Sequence, residues 1–317
     1  MSTGLAGVVF VLALIATLYA AAVFADRLDH LGARLGLPES VLGMVTAAGA
    51  DAPELASAIA ALASGAKGVG LGVVIGSNVF NLAAMLGVSA LAAGAVTLRR
   101  EALALEGGVA LGVTGAVCLF GFGVVPAWTA FVLALAILVP YVIAIARAGR
   151  GSPVLGEPHR RRPPHGRALW VPLATIPPAL AVIVLGSVAM VHTALQLADR
   201  AGLPRVLVGT LLLAVLTSLP NAYTGVRLGR ARRGSALVSE TMNSNTINLV
   251  GGVALPALFV GFGSHFSGLE TAGVAWLLAA TGLALALLAR SGGLRRTGGG
   301  LLLASWAGFA AVQGIFG

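Results

Sequence analysis

The sequence has few charged residues and only one cysteine. Charged residues make up 10% of the 317 positions, whereas a soluble globular domain carries about 25%. Because Cys118 is the only cysteine, the chain cannot form an internal disulfide. Aromatic residues are scarce as well, at 6%, and they do not alternate with basic residues on any face. The net charge of +9 therefore gives no support for nucleic-acid binding.

Apolar residues take the place of the missing charges. Hydrophobic residues form 58% of the chain and the mean hydropathy is +0.96, which predicts an all-α polytopic membrane protein that lies in the lipid bilayer. A helix needs about 20 residues to cross the hydrocarbon core, and the apolar runs predict ten such spans. They lie approximately at 4–25, 38–63, 70–93, 102–122, 125–146, 168–197, 204–226, 236–262, 271–289 and 300–316.

The basic residues lie between these runs, and their distribution predicts the topology. If the N-terminus is outside, only Lys67, Arg200 and Arg205 fall in outer loops. Because positive residues accumulate on the cytoplasmic side, both termini are expected outside a cell membrane, and the Arg-rich, Lys-poor composition favours a bacterial inner membrane. The predicted inner-loop residues are Arg27, Arg34, Arg99, Arg100, Arg147, Arg150, Arg160, Arg161, Arg162, Arg167, Arg227, Arg230, Arg232, Arg233, Arg290, Arg295 and Arg296.

Two segments, 41–82 and 208–249, carry one motif at matched spacing. An offset of 167 residues superimposes identical residues of the two copies, among them the proline, several polar residues and one leucine. A duplicated, proline-interrupted polar hairpin inside apolar sequence indicates the substrate site of a transporter. The identical pairs include Pro53 and Pro220, Ser77 and Ser244, Asn78 and Asn245, Asn81 and Asn248, and Leu82 and Leu249.

The same repeat predicts the domain organisation. The hairpin turn near Lys67 is expected outside and the turn at 230–233 inside, so the two copies are expected to be inverted about an axis in the membrane plane. We predict two five-helix repeats, 1–147 and 168–317. Residues 148–167, which are rich in Pro, Gly and Arg, are predicted to be a cytoplasmic linker.

Asp51 and Glu54 lie near the middle of the second predicted span. An ionised carboxylate at that depth costs about 2.5–3.5 kcal/mol on insertion scales, so a bound cation is the natural compensation. Their i, i+3 spacing places both on one helix face. Pro53 between them lacks a backbone N–H, which breaks the helix and is expected to free the carbonyl of Gly49.

The second copy repeats this arrangement with neutral residues. Pro220 is expected to free the carbonyl of Leu216, and further hydroxyl and amide oxygens face the same predicted pocket. Six to eight hard oxygens at flexible spacing suit Ca²⁺, and subsets of them suit Na⁺, whereas the lack of nearby Cys or His disfavours copper, zinc and iron. These neutral candidates are Ser77 and Asn81 in the first copy and Thr217, Ser218, Asn221, Ser244 and Asn248 in the second.

The polar residues allow other interpretations. Ser, Thr and Asn also join membrane helices, at about 0.6 kcal/mol per interaction, and for Asn78 and Asn245 this alternative stays open. An intramembrane aspartyl hydrolase needs two facing aspartates, and only Asp51 is predicted to lie deep, so an enzyme is not expected. A receptor or scaffold would not need carboxylates at mid-membrane. The remaining glutamates, expected at interfaces near span ends, are Glu39, Glu101, Glu106, Glu240 and Glu270.

The two motifs resemble the alpha-repeats of the cation/calcium exchanger superfamily. Residues 49–54 and 216–221 occupy the place of its Gly-Thr-Ser-x-Pro-Glu type motif, and residues 76–81 and 243–248 that of its Gly-Ser-Asn-x-x-Asn/Asp motif. The resemblance implies ten helices in inverted halves, and alternating access in which helices one and six slide past the core. Its ion ligands would be the backbone carbonyls of Ala47 and Ala214 and the side chains of Asp51, Glu54, Ser77, Asn81, Thr217, Ser218, Asn221, Ser244 and Asn248.

The chain departs from this pattern in its charges. Asn221 stands where the family usually has a glutamate, Asn248 lacks the acid that some members carry, and Asp51 replaces a hydroxyl residue. The pocket therefore holds a nominal charge of −2 from the first repeat. We expect a secondary antiporter of inorganic cations that exchanges Ca²⁺, or a similar hard cation, for Na⁺ or H⁺, with near-electroneutral exchange. The alternative is a monovalent cation/proton antiporter without calcium transport. Neither a cofactor nor a protein partner is expected.

Overall fold

The computed structural model describes residues 1–35, 44, 47–97, 100–147, 170–262, 266–290 and 292–316, and this part of the chain is largely helical. The predicted linker 148–167 lies outside the described residues. The helices of the first half are α1 (Thr3–Arg34), α2 (Ala52–Ala63), α3 (Lys67–Val79), π1 (Phe80–Met85), α4 (Leu86–Ala93), α5 (Arg100–Gly121) and α6 (Ala127–Arg147). Those of the second half are α7 (Trp170–Ala201), α8 (Arg205–Leu207), π2 (Val208–Leu213), α9 (Ala214–Thr217), α10 (Leu219–Arg230), α11 (Gly234–Leu249), π3 (Val250–Ala254), α12 (Ala257–Val260), α13 (Gly268–Arg290) and α14 (Arg296–Phe316).

Seven helices among the described residues are long and apolar enough to cross a membrane. A bent pair, Arg205–Thr217 with Leu219–Arg230, adds an eighth candidate. Residues 38–43 and 45–46 of the predicted second span lie outside the described part, and α11 is too rich in polar residues to qualify. The helical, multi-span character is confirmed, and the number of ten spans stays a prediction. The seven are Thr3–Leu28, Lys67–Ala93, Leu103–Gly121, Ala127–Arg147, Leu173–Ala201, Gly268–Arg290 and Arg296–Phe316.

Large apolar side chains cover the outer surface, and the interior combines an apolar core with buried polar and acidic residues. Large apolar side chains are exposed on the outer helices, such as Leu12 on α1, Trp128 on α6 and Leu185 on α7. Both carboxylates singled out in the sequence, on Asp51 and Glu54, are fully buried. A water-soluble protein places its large apolar side chains inside, so this distribution is typical of a protein surrounded by lipid.

Both proline motifs break their helices, as the sequence predicts. The break lies at Asp51 in the first copy (φ −80°, ψ −8°) and at Ser218 in the second (φ −82°, ψ −1°), two residues before each proline. Helix α10 bends by 47° from the segment before it. One expectation is wrong: the Leu216 carbonyl still accepts a backbone N–H at the end of α9, because the chain forms a tight capping turn there.

Glycines let two of the central helices approach closely. Helix α3 packs against π2 and α9. A methyl group on Gly72 would lie 3.0 Å from the backbone nitrogen of Thr210, and one on Gly76 would overlap the Thr210 carbonyl. Small residues at such a crossing bring backbones into contact, so the helix carrying Ser77 and Asn81 lies directly against the broken helix of the second copy.

The turns of the two polar hairpins lie at opposite ends of the span Lys67–Ala93. At one end, Lys67 donates from Nζ to the Gly261 carbonyl at 2.6 Å. At the other end a two-stranded antiparallel ribbon pairs β1 (Ala95–Thr97) with β2 (Gly293–Arg295), and Gly234, at the start of α11, lies against Thr97. We call this second end, with the nearby arginines at 230–233 and 295–296, the arginine-rich end.

Candidate ion-binding site

The predicted site residues come together in one buried pocket where the two proline hairpins meet. Helix α11 packs against α3 and π1, which brings Ser244 and Asn248 next to the residues of the first copy. Each predicted ligand residue is at most 1% exposed. They are Ala47, Asp51, Glu54, Ser77, Asn81, Ala214, Thr217, Ser218, Asn221, Ser244 and Asn248.

Donors from the second copy hold the Asp51 carboxylate. The Asn221 side chain donates from Nδ2 to Asp51 Oδ1 at 2.7 Å, and the Ser244 hydroxyl donates to the same oxygen at 2.5 Å. Asn81 in turn donates to the Ser244 hydroxyl at 3.2 Å. All these partners are neutral, so they orient the carboxylate without cancelling its charge.

Glu54 is held in the same way by three side chains of the second copy. Ser218 donates to Oε1 at 2.5 Å, and Asn221 reaches the same oxygen at 3.3 Å. The Asn248 amide donates to Oε2 in a short hydrogen bond. Because Asn221 contacts both carboxylates, its amide group bridges the two acidic residues.

Four buried oxygens of the pocket have no hydrogen-bond donor. They are Asp51 Oδ2, Asn81 Oδ1, Asn221 Oδ1 and Asn248 Oδ1. The amide nitrogens of these asparagines point to carboxylate or hydroxyl oxygens, so their amide oxygens are left without partners. Leaving one buried polar group unsatisfied costs about 1–3 kcal/mol. One carboxylate oxygen and three amide oxygens are the donor chemistry that hard cations prefer.

Three of the other four predicted ligands keep some capacity to accept. Ser77 donates its hydroxyl proton to the Val74 carbonyl at 3.1 Å, and Thr217 donates to the Leu213 carbonyl at 2.8 Å. The lone pairs of both hydroxyls remain available to a cation. The Ala47 carbonyl accepts the Asp51 N–H at 2.9 Å, which leaves it one further lone pair. The Ala214 carbonyl already accepts from Ser218 N–H at 3.1 Å and from the Thr217 hydroxyl at 3.3 Å.

The pocket contains two carboxylates and no soft ligand. Among the described residues no group of three or more His, Cys, Asp or Glu is close enough to hold a metal ion. A cation here would therefore be held by two acids and several neutral oxygens. Asn78 joins the helices: it donates to the Asn245 carbonyl at 3.3 Å and accepts from Asn248 at 3.2 Å. Asn78 thus shows the helix-joining role considered for it, and it also positions Asn248.

One acidic residue expected at a membrane interface is placed differently by the structure. Glu106 is 6% exposed and accepts from the Ser239 hydroxyl at 2.7 Å. Asn243 donates to Ser239 at 3.3 Å, and Tyr141 donates to Asn243 at 3.0 Å. This network ties α11 to α5 and α6. The expectation was wrong because distance from a span end does not show whether a residue faces lipid headgroups or a neighbouring helix.

Glu240, also expected at an interface, is half-buried. It lies on α11, four residues before Ser244 and eight before Asn248, and its Oε2 is buried without a hydrogen-bond partner. Residues spaced by four share one helix face, so the spacing alone could have associated Glu240 with the pocket. Ser187 of α7 is another contact that no sequence pattern indicated: its hydroxyl lies 3.5 Å from the Pro53 carbonyl at the first helix break.

An apolar outer surface, at least seven candidate spans and a buried pocket of acids and amides define a multi-pass membrane protein. The chain belongs to the sodium/calcium exchanger family, because the family described as "Sodium/calcium exchanger protein" matches residues 5–148 and 172–315. The resemblance found in the two motifs is thereby confirmed.

Relatives and solved structures agree with this assignment. The inner membrane protein YrbG of Escherichia coli K12 is 26% identical over 246 residues, which is 74% of this chain and 75% of YrbG. The sodium/calcium exchanger MaX1 of Methanosarcina acetivorans is 41% identical over 69 residues, 22% of this chain and 20% of MaX1. A structure of the sodium-calcium exchanger NCX_Mj, soaked with 10 mM Na⁺ and zero Ca²⁺, has a TM-score of 0.69 and 22% identity, covering 98% of this chain and 99% of that one. The chain thus has the fold of that exchanger.

Proposed function

We propose that this protein is a secondary antiporter that exchanges Ca²⁺, or a similar hard cation, for Na⁺ or H⁺ by alternating access. The observation that carries the proposal is the set of four buried oxygens without donors beside two carboxylates. A cation at their centre would satisfy these oxygens and balance the nominal charge of −2. The similarity to MaX1 and NCX_Mj, both sodium/calcium exchangers, supports the same substrate class.

The burial of the pocket supports alternating access. Because the pocket residues are at most 1% exposed, a cation can enter or leave only after helices move apart. Competing ions would use the same oxygens: one Ca²⁺, two Na⁺ or two H⁺ each balance a charge of −2. Only a loaded pocket, or one whose carboxylates are protonated, would return to the closed state, since two uncompensated carboxylates are costly inside a bilayer.

The membrane arrangement belongs to the same proposal. Ten spans in two inverted five-helix repeats, 1–147 and 168–317, agree with the opposite placement of the two hairpin turns. Both termini would then lie outside, with the arginine-rich end in the cytoplasm. The inner-membrane relative YrbG supports a bacterial inner membrane as the location.

One observation favours a second candidate, a monovalent cation/proton antiporter that does not carry calcium. Asn221 and Asn248 stand where family members can carry acids, and they turn their amide nitrogens toward the carboxylates, so the pocket holds only the two acids Asp51 and Glu54. Fewer charges weaken selectivity for a divalent ion. Uptake of tracer Ca²⁺ and tracer Na⁺ into vesicles with imposed sodium and proton gradients separates the two candidates.

The double substitution Asp51→Asn with Glu54→Gln tests the proposal. Both changes keep the size of the side chain and leave an amide oxygen to accept from Asn221 and Ser218, so the fold is expected to survive. Exchange in proteoliposomes is expected to fall to background, because the pocket loses its full charge. Glu101→Gln is the matched control, since it removes an exposed carboxylate at the start of α5. Retained flux in the double variant, with a normal thermal unfolding curve, would rule out this site.

A further inference from the structure

Glu240 is a half-buried acid of α11 that the pocket described above does not use. Its spacing from Ser244 and Asn248 places it on the pocket-facing side of the helix. It lies one turn, about 6 Å, nearer to Gly234 and therefore nearer to the arginine-rich end. Its carboxylate interacts electrostatically with Asp51 of the pocket and with Arg227 at the end of α10. Glu240 thus lies between the pocket and one surface of the molecule.

Two carboxylate oxygens in this region lack a hydrogen-bond donor. They are Glu240 Oε2 and Asp51 Oδ2, and Asp51 is fully buried. A carboxylate that served only to fix helices would be expected to use both oxygens in hydrogen bonds, as buried polar groups generally do. Unpartnered oxygens on two interacting acids instead point to a cation as the missing partner.

The first hairpin has no acid at the position that matches Glu240. The offset of 167 residues places Val73 at the position of Glu240 and Ala60 at that of Arg227. Val73 is fully buried in α3. The first hairpin therefore presents apolar groups where the second presents a carboxylate and a guanidinium, so the two hairpins differ in charge at these positions although the pocket motifs match.

We propose that Glu240 is a second cation-binding position, one that receives the ion between the pocket and the arginine-rich end. The inference rests on the proposed function, because it assigns to Glu240 the cation that the pocket exchanges. A cation on this route would be held first by Glu240 and then by Asp51. Arg227 at the surface would oppose its entry through charge repulsion.

Kinetics measured separately from each side test the proposal. Tracer Ca²⁺ and Na⁺ uptake is measured in right-side-out and inside-out vesicles. Glu240→Gln is expected to raise the half-saturating concentration at the arginine-rich end roughly tenfold, since the route loses a nearby unit charge, and to leave the other side unchanged. Arg227→Gln is expected to lower the half-saturating concentration at the arginine-rich end. The control Glu101→Gln is expected to leave the half-saturating concentration unchanged on both sides. Equal changes on both sides, or none, would overturn the proposal.

Labelling gives a second readout that does not depend on transport. Cys118 is the only cysteine and is buried, so Cys118→Ala provides a background for Glu240→Cys. A cationic thiol reagent is expected to modify this variant from the arginine-rich end alone, because the proposal places position 240 on the route from that end. No modification, or modification from the opposite end, would contradict the placement of Glu240. If the wild-type protein exchanged no cation, the proposed function would fail, while the labelling result would still show from which end position 240 is reached.

Discussion

At the residue scale, the amide groups of the second hairpin explain why two carboxylates are tolerated side by side. Asn221 donates to both acids, and Asn248 donates to Glu54. An ionised acid at either position would offer an oxygen where the structure has an N–H donor. The departures from the family motif are therefore related. Asp51 adds an acid, and Asn221 and Asn248 supply N–H donors to the carboxylates where acids would repel them.

Asn221→Asp tests this explanation. The new carboxylate would face Asp51 Oδ1, which Asn221 now contacts at 2.7 Å, so repulsion replaces a hydrogen bond. In the absence of divalent ions we expect a loss of about 1–3 kcal/mol in the free energy of unfolding. Added Ca²⁺ is expected to raise the unfolding temperature more than in the wild type, since the pocket would then carry a nominal −3. Thermal unfolding with and without Ca²⁺ measures both effects.

The matched control is Asn243→Asp, a buried asparagine that contacts Ser239 and Tyr141 outside the pocket. It is expected to lose stability without any larger response to Ca²⁺. If Asn221→Asp responded to Ca²⁺ no more than the wild type does, the placement of Asn221 beside the ion would be wrong.

The sequence predicts the residues of the pocket better than their contacts. Pro53, Pro220 and the 28-residue spacing to Asn81 and Asn248 identify which side chains meet, because matched hairpins bring equivalent positions together. Spacing does not show which end of an amide faces a carboxylate, since the two ends differ by a rotation of the side chain. The burial of Glu106 and the position of Glu240 were also missed, because both depend on how neighbouring helices pack.

At the element scale, the crossing of α3 with π2 and α9 determines where Ser77 and Asn81 lie relative to the second break. The crossing is close because Gly76 has no side chain where the Thr210 carbonyl approaches α3. A methyl group added to Gly76 would also lie 2.8 Å from the methyl group of Ala214. Any side chain at Gly76 would push the two helices apart and move Ser77 away from Glu54.

Gly76→Ala is therefore expected to destabilise the protein by about 1–3 kcal/mol, the usual range for overpacking, and to reduce cation exchange. Gly115→Ala on α5 is the control, because nothing lies within 4 Å of its added methyl group. That change is expected to be neutral or to stabilise the helix by up to about 1 kcal/mol. Thermal unfolding and vesicle flux compare the two variants, and equal behaviour would contradict the close crossing.

Some elements could be predicted from the sequence and others could not. The two helix breaks follow from proline, which has no N–H to donate at any site. The π2 turn has no comparable signal: Val208–Leu213 also suits an ordinary α-helix, and its extra residue per turn accompanies packing against α3. The β1–β2 ribbon was missed because strands of three residues carry little pattern, and their partners lie far apart in the chain.

At the scale of the whole molecule, the charge of the pocket predicts how exchange responds to voltage. Asp51 and Glu54 are held by neutral donors, so the loaded pocket is expected to be neutral with one Ca²⁺, two Na⁺ or two H⁺. The rate of near-electroneutral exchange should then change less than about twofold over 100 mV. If each cycle moved one net charge, that potential would instead contribute about 2.3 kcal/mol. Flux in proteoliposomes under a clamped potential measures this. Strong voltage dependence in the wild type would contradict the prediction. Asn221→Asp adds a negative charge to the pocket, so exchange by that variant is expected to depend on voltage.

The hydrogen bonds of the pocket also determine the order in which the chain can mature during synthesis. Asp51 and Glu54 leave the ribosome first, and their donors follow 164 to 194 residues later. At about 5–20 residues per second, the acids wait on the order of 10–40 s for those donors. During that interval they carry an insertion penalty of about 5–7 kcal/mol. The nascent first half therefore has to be sheltered from lipid, by the insertion machinery or by incomplete burial, until translation delivers Ser218 to Asn248.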